Sequence, residues 1–156
     1  MSYGEKILIL SSDKDFVQLQ RYGNVVQYSP MQKKMVKHAS PTTYIREHIL
    51  RGDRGDGIPN FLSDDDTFVL NKRQKPIRKE KLQQWVHMKP EEFCDEKMLR
   101  GYRRNESLVD LTKIPDWIHS EVNDIYENYE EKPRSMLMNY FIKNKMKNLM
   151  DSIQEF

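Results

Sequence analysis

The alternation of apolar and polar positions changes character along the chain. Ile7-Leu8-Ile9-Leu10 is a continuous apolar run between Lys6 and Ser11. Such a run predicts a strand over Lys6 to Leu10, buried on both faces in a parallel sheet. Asp15 to Arg21 reads as a short helix behind it, with Ser12 or Asp13 as its cap. Val25 to Ser29 and Lys34 to Lys37 predict two short strands joined by a turn at Ser29-Pro30-Met31-Gln32. Pro41 to Leu50 predicts a helix, with Ser40 as cap, Pro41 at the first helical position and Gly52 as the stop.

The pattern then breaks. "GDRGDGIPNFLSDDD" is too rich in glycine and proline for regular structure. A short strand is predicted over Thr67 to Leu70, before the basic stretch "NKRQKPIRKEK". Pro76 opens a predicted helix to about Met88. Further helices are predicted over 90–104, 116–130 and 134–153, parted by turns at Ile114-Pro115 and Lys132-Pro133. The fold class is therefore α/β and mostly helical: a partial parallel sheet edge, then an all-α C-terminal subdomain. The predicted division is residues 1–60 and 61–156, the second part carrying the basic stretch 71–81. A parallel strand needs neighbours, and so few strands imply a sheet of which most is supplied elsewhere.

Composition narrows the classes. The 156 residues are 37% hydrophobic, 32% charged and 10% aromatic, polar for a globular domain but too aromatic for disorder. No apolar run approaches the ~18 residues of a membrane span, and no signal peptide is visible. Cys94 is the single cysteine, so thiolate metal clusters and internal disulfides are excluded and an intracellular setting is expected. Net charge is only +2, but residues 1–90 hold 16 Lys and Arg against 10 Asp and Glu, whereas residues 91–156 hold 10 against 14. The basic first part points to a polyanion partner, against the plainer reading of an unevenly charged surface.

The candidate chemistry lies in carboxylates. Asp13 and Asp15 stand at the tip of the first strand, where open α/β sheets bind ligands. The plain alternative is a helix cap with a second acid favouring the helix dipole. Asp53 and Asp56, three apart in "GDRGDGIP", share a face if the turn is helical, or simply build an Asp-Gly turn. Two acidic pairs beside glycine-rich backbone suggest a hard-cation site. Mg²⁺ takes oxygen ligands and bridges to phosphates, and two ions roughly 4 Å apart would clamp the attacking and leaving oxygens of a phosphodiester. "SDDD", Ser63 to Asp66, reads as a cap or exposed loop. His38, His48, His87 and His119 are scattered and read as structural or surface residues. Ser11 and Ser12 lack a base partner. Trp85, Trp117, Tyr126, Tyr129, Tyr140 and Phe141 fall at helical spacing and read as core.

"KILILSSDKDFVQLQRYGNVVQYSPMQKKMVK" resembles the stretch around an acidic motif in the RNase H family of T-even bacteriophages, which are 5′→3′ exonucleases and flap endonucleases. "ILRGDRGDGIPNF" resembles the family's second acidic motif, G-D-x-x-D-N-I-P-G in most relatives. "MNYFIKNKMKNLMDSIQEF" resembles the family's C-terminal end. The resemblance implies the second half of a 5′-nuclease fold. Asp13 and Asp15 match the D-x-D pair, and Asp53 and Asp56 match the G-D-x-x-D pair. Asp13, Asp15 and Asp56 are then the expected catalytic carboxylates and ligands of Mg²⁺ (or Mn²⁺), mainly of the second metal, with Asp53 orienting waters and the loop.

Two departures stand out. Gly57 replaces the usual Asn, and Asn60 the usual Gly after Pro59. The glycine-rich half of the family's DNA-binding hairpin is replaced by "FLSDDDTFVLNKRQKPIRKEK". The phosphate grip is then expected from Lys72, Arg73, Lys75, Arg78 and Lys79 by charge. The implied function is hydrolysis of RNA primers and DNA flaps in phage replication, in the cytoplasm of the infected bacterium. The implied partners are DNA, RNA–DNA duplex, a separate N-terminal half carrying the first metal's ligands, and a phage replication protein. The competing reading is a non-catalytic nucleic-acid-binding remnant.

Overall fold

The computed structural model describes residues 4–130 and 134–155. It opens with β1 (Ile7–Leu10), followed by a 3-10 helix over Asp15–Arg21. β2 (Val25–Ser29) lies parallel to β1, pairing Ile7 with Val25 and Leu10 with Tyr28, and β3 (Lys34–Val36) returns antiparallel to β2. The sheet order is β1-β2-β3, so the α/β class with a helical remainder holds. Lys33, at φ 52°, takes the left-handed position that closes the β2–β3 turn.

β1 is not buried. Ile7, Leu8 and Leu10 are 48%, 56% and 66% exposed, against the two-sided burial its apolar run predicts. Only β2 pairs with it, and among the described residues its outer edge is open. Cover comes from one side: Gln20 of the 3-10 helix donates to the Val36 carbonyl and to Gln27 Oε1, and Gln27 and Ser29 are fully buried on that face.

α1 (Pro41–Arg51) starts where its signals predict. Ser40 Oγ accepts from the Thr43 amide, Pro41 opens the first turn, and Gly52 ends the helix at φ 66°. Ile45, Ile49 and Leu50 face a core shared with Phe61, Leu82, Val86, Tyr102 and Val109. Residues on both sides of position 60 thus contribute to one core, each large side chain adding about 1.5–3 kcal/mol on burial. Phe61 meets Trp85 and Phe93 edge-on at 5.5 and 6.1 Å, a favourable aromatic geometry.

Thr67 to Leu70 is a chain of turns, not a strand. Thr67 donates back to Asp64, Leu70 to Asp66 and Lys72 to Thr67, and these local bonds consume the groups a sheet partner would need. The next helix, α2 (Lys79–Trp85), begins three residues after Pro76, because Arg78 is extended at ψ 138°. The region predicted as 90–104 splits into α3 (Pro90–Phe93) and α4 (Glu96–Val109). Cys94 is extended between them, and Asp95 caps α4 by accepting from the Met98 amide at 2.8 Å.

The chain divides into two compact units at Ile114–Pro115. In the second, α5 (Asp116–Glu127) is followed by α6 (Leu137–Lys143) and α7 (Lys147–Met150). The continuous helix predicted over 134–153 is broken where Lys145 turns to φ 55°. The turn predicted at Lys132-Pro133 lies outside the described residues. Phe141 is buried and Trp85 packs on the core, but Trp117, Tyr126, Tyr129 and Tyr140 are exposed rather than core. No helix among the described residues is long and apolar enough to cross a membrane.

Candidate metal and nucleic-acid site

The four sequence-selected carboxylates come from two places brought together by α1. Asp13 and Asp15 lie at the C-terminal end of β1, and Asp53 and Asp56 in the loop after α1. Asp13 Oδ1 accepts from the Asp15 amide at 3.0 Å, an Asx turn that starts the 3-10 helix. Lys14 occupies the cap position without a side-chain cap bond. The second loop is drawn tight by Asp53, whose Oδ1 accepts from the amides of Gly55 and Asp56 at 2.8 and 3.4 Å. Its carbonyl accepts from Ile58 at 2.7 Å.

His48 joins the two motifs. Its Nε2 lies 3.1 Å from Asp53 Oδ2, and its Nδ1 lies 3.7 Å from Asp15 Oδ1. Nδ1 is buried with no hydrogen-bond partner among the described residues. Spacing alone assigns His48 no role, since its partners sit 33 residues before and five after. The available signal was its place on the last turn of the helix that feeds the acidic loop.

The electrostatics divide the carboxylates. Burial first, then Asp13, raises the Asp15 carboxyl above its ordinary range; His48 opposes this, while Asp56 and Asp53 add to it. Asp53 behaves in the opposite sense. Burial pushes it up, but the amides of Gly55 and Asp56 and the His48 ring outweigh that and hold it low. Burial and the carboxylates Asp15 and Asp53 raise the nearby Tyr44 hydroxyl as well.

Among the described residues, no three His, Cys, Asp or Glu side chains are grouped tightly enough to hold a metal ion. What is present is a crowded pair of acidic turns in which burial, and then like charge, raises Asp15. That donor chemistry fits a hard cation held by one or two carboxylates and completed by water, phosphate and ligands from elsewhere. A cavity of about 430 Å³ beside it is lined by Lys14, Tyr44, His48, Asp53 and Arg54 among others.

Arg51 and Arg54 also line a second cavity, of about 570 Å³, with Lys72, Arg73 and Lys75. The basic side chains predicted to grip phosphate are therefore partly assembled beside the acidic turns. Arg51 and Arg54, which bracket Gly52-Asp53, were missed by reading the basic run alone. Arg78 and Lys79 are not among them: Arg78 borders a cavity with Trp85 and Phe93, and Lys79 one with Leu82 and Val86. Asn60, where the family motif has Gly, fixes the groove. Its amide donates to Gln74 Oε1 at 2.7 Å, its Nδ2 to the Lys75 carbonyl at 2.8 Å, and its Oδ1 accepts from Leu62 N and Ser63 Oγ.

α4 anchors the chain on either side of the second acidic turn. Asn105 is fully buried and donates to the carbonyls of Ile49 and Pro59 at 2.8 and 2.9 Å. Arg104 donates to the carbonyls of Pro59, Asn60 and Ser63. The acids of "SDDD" are spent on ion pairs: Asp64 with Lys97, Asp65 with Arg100 and Arg104, and Asp66 with Lys72.

The chain is 35% identical to the protein named Ribonuclease H of Enterobacteria phage T4, over 98% of the chain and 52% of that relative, so it spans about half of the relative's length. The family described as "T4 RNase H, C terminal" matches residues 39–156, which include the second acidic turn, the basic groove and every helix from α1 onward. The chain belongs to the T4 RNase H C-terminal family.

Proposed function

We propose that this chain is the C-terminal portion of a phage 5′→3′ nuclease that hydrolyses phosphodiesters in RNA primers and DNA flaps. The observation that supports it most is the joining of Asp13-x-Asp15 to Asp53-x-x-Asp56 through His48, beside the groove lined by Arg51, Arg54, Lys72, Arg73 and Lys75. Asp13, Asp15 and Asp56 would hold Mg²⁺, or Mn²⁺ in its place, with further ligands from outside these 156 residues. Asp53, already committed to two amides and His48, would orient the loop rather than bind directly. The cation, when bound, would activate water and stabilise the departing oxygen. The groove would hold the duplex by its phosphates, and a phage replication protein would be a further partner in the infected host's cytoplasm.

The test is cleavage of an RNA–DNA duplex and a 5′-flap substrate with Mg²⁺, by this chain together with the N-terminal half of the phage T4 relative. Cleavage is expected from the pair, little from the chain alone, and none after Asp13→Asn or Asp56→Asn. Activity that survives both substitutions would place the chemistry elsewhere. That no three His, Cys, Asp or Glu side chains are grouped among the described residues favours a second reading, a non-catalytic nucleic-acid-binding remnant. Duplex binding without any effect of Asp56→Asn on Mn²⁺ affinity would select it.

A further inference from the structure

We infer that Gln27, fully buried on β2, is the positioning residue for the Asp13-x-Asp15 pair: its side-chain amide holds the turn that presents both carboxylates to a divalent cation. This rests on the nuclease reading above and adds the group that sets the geometry of its ligands.

Gln27 and Ser29 place polar side chains on the buried face of β2, at 1% and 0% exposure. Burying such groups is costly unless their donors find acceptors. The amide of Gln27 carries two hydrogens on Nε2. It donates to the Ser11 carbonyl at 2.9 Å and to the Asp13 carbonyl at 2.7 Å. Backbone pairing with β2 reaches Ser11, whose own amide donates to the Tyr28 carbonyl at 3.0 Å. Beyond that point the side chain of Gln27 carries the hold on to Asp13. Ser29 secures the residue between, sharing a hydrogen bond of 2.7 Å with the Ser12 hydroxyl.

The direction of the Gln27 amide is itself fixed. Its Oε1 accepts from Gln20 Nε2 at 3.4 Å. Gln20 Oε1 accepts from the His38 amide, and Gln20 Nε2 also donates to the Val36 carbonyl, both at 3.1 Å. A backbone amide only donates and a carbonyl only accepts. The series from His38 through Gln20 and Gln27 therefore has one polarity, with Gln27 Nε2 toward the acids. Gln18, just as buried, spends its amide on Val109 and Leu111 and ties scaffold to scaffold. Gln27 spends both donors on the turn that carries the candidate ligands. With Asp13 Oδ1 accepting from the Asp15 amide, that turn is held by backbone and side chain alike. Asp13 and Asp15 are then presented in one arrangement rather than several. Groups that orient ligands in this way are typically worth about 10–100-fold in metal affinity.

The experiment is Mn²⁺ titration of the full 156-residue chain, read by electron paramagnetic resonance, with thermal melts to establish folding. Gln27→Met keeps the side-chain length and removes both donors, and is expected to weaken Mn²⁺ binding at least about tenfold. Gln20→Met, which frees the Gln27 amide without removing it, should give a smaller loss in the same direction. It decides the matter if Gln27→Met does not fold. Leu82→Ala opens the core shared with Ile45, Phe61 and Tyr102, none of them in the turn, and should bind Mn²⁺ like the parent. Parent affinity in Gln27→Met, or in Gln20→Met where the first variant does not fold, would overturn the positioning role. An equal loss in Leu82→Ala would do the same, because affinity would then follow stability alone. In either case a loss in Asp13→Asn would spare the nuclease reading. Mn²⁺ binding that ignores Asp13→Asn would overturn both.

Discussion

His48 Nε2 sits 3.1 Å from Asp53 Oδ2, and that one bond ties the last turn of α1 to the acidic loop it precedes. With Nε2 as donor, the ring is held so that Nδ1 faces Asp15 at 3.7 Å. Removing the ring strips Asp53 of a charge-assisted partner in a part-buried setting. His48→Ala is expected to lower unfolding stability by about 1–2 kcal/mol in denaturant titration. His48→Gln, whose amide can replace Nε2 as donor, should recover most of the loss. Equal losses in the two variants would show that ring packing against Tyr44, at 5.8 Å between centroids, matters more than the bond.

Asp15 and Asp53 should respond to amidation with opposite signs. Asp15 is raised above its ordinary 3.8 by burial and by Asp13. Its ionised form therefore destabilises the fold above the folded-state pKa, a penalty absent below 3.8. Asp53 is held below 3.8 by its amide and His48 bonds, despite burial. It stabilises the fold above 3.8, and that contribution is lost as pH falls through the lower folded value. In thermal melts at pH 7, Asp15→Asn should raise the Tm and Asp53→Asn lower it. The gap between the variants should narrow as pH falls toward 3. A shared direction at pH 7 would contradict this division.

Local signals read correctly wherever the chain itself supplies the partners. Ser40, Pro41 and Gly52 bound α1 because caps and stops act within a turn. The two acidic motifs were found by spacing, and the strands Val25–Ser29 and Lys34–Val36 by a turn between apolar runs. The misreadings share a cause. The apolar run of β1 encodes burial that the described residues do not provide. Thr67 to Leu70 has strand-like residues, but Asp64 and Asp66 accept its amides first. On α5 the apolar stripe of Val122, Ile125 and Tyr126 is left exposed by the described residues, with Trp117 exposed on the opposite side of the helix. His48, Arg51, Arg54 and Asn60 gained their roles only through folding, because each acts on residues that periodicity cannot bring near.

Two glycines hold the loop that presents Asp53 and Asp56 and the chain just after it. At Gly52, φ is 66° and an added Cβ would stand 2.4 Å from the Ile58 carbonyl oxygen. At Gly101 in α4, it would stand 2.0 Å from that of Phe61. Neither obstacle is a flexible side-chain tip, so neither can yield cheaply. Gly52→Ala and Gly101→Ala are each expected to cost more than about 2 kcal/mol. By contrast Gly23→Ala, with open space around it, should fall within about 0.5 kcal/mol of the parent. Chemical denaturation of the three variants separates a built loop from a permissive one.

The basic groove predicts a graded salt dependence. Arg73 and Lys75 line the cavity shared with Arg51 and Arg54, and among the described residues neither forms an ion pair. Each is free to release a counterion on meeting a phosphate, so Arg73→Ala and Lys75→Ala should each lower the slope of log K against log salt by about 1. Lys72 lines the same cavity but is 3.0 Å from Asp66, and breaking that exposed pair offsets part of its gain, so Lys72→Ala should change the slope less. Arg78 borders a different cavity beside Trp85 and Phe93, and Arg78→Ala should leave the slope nearly unchanged. Fluorescence anisotropy of a labelled duplex across a salt series reads all four. Equal slopes for the Arg73 and Arg78 variants would mean that the whole basic run, rather than the groove beside the acidic turns, meets the nucleic acid.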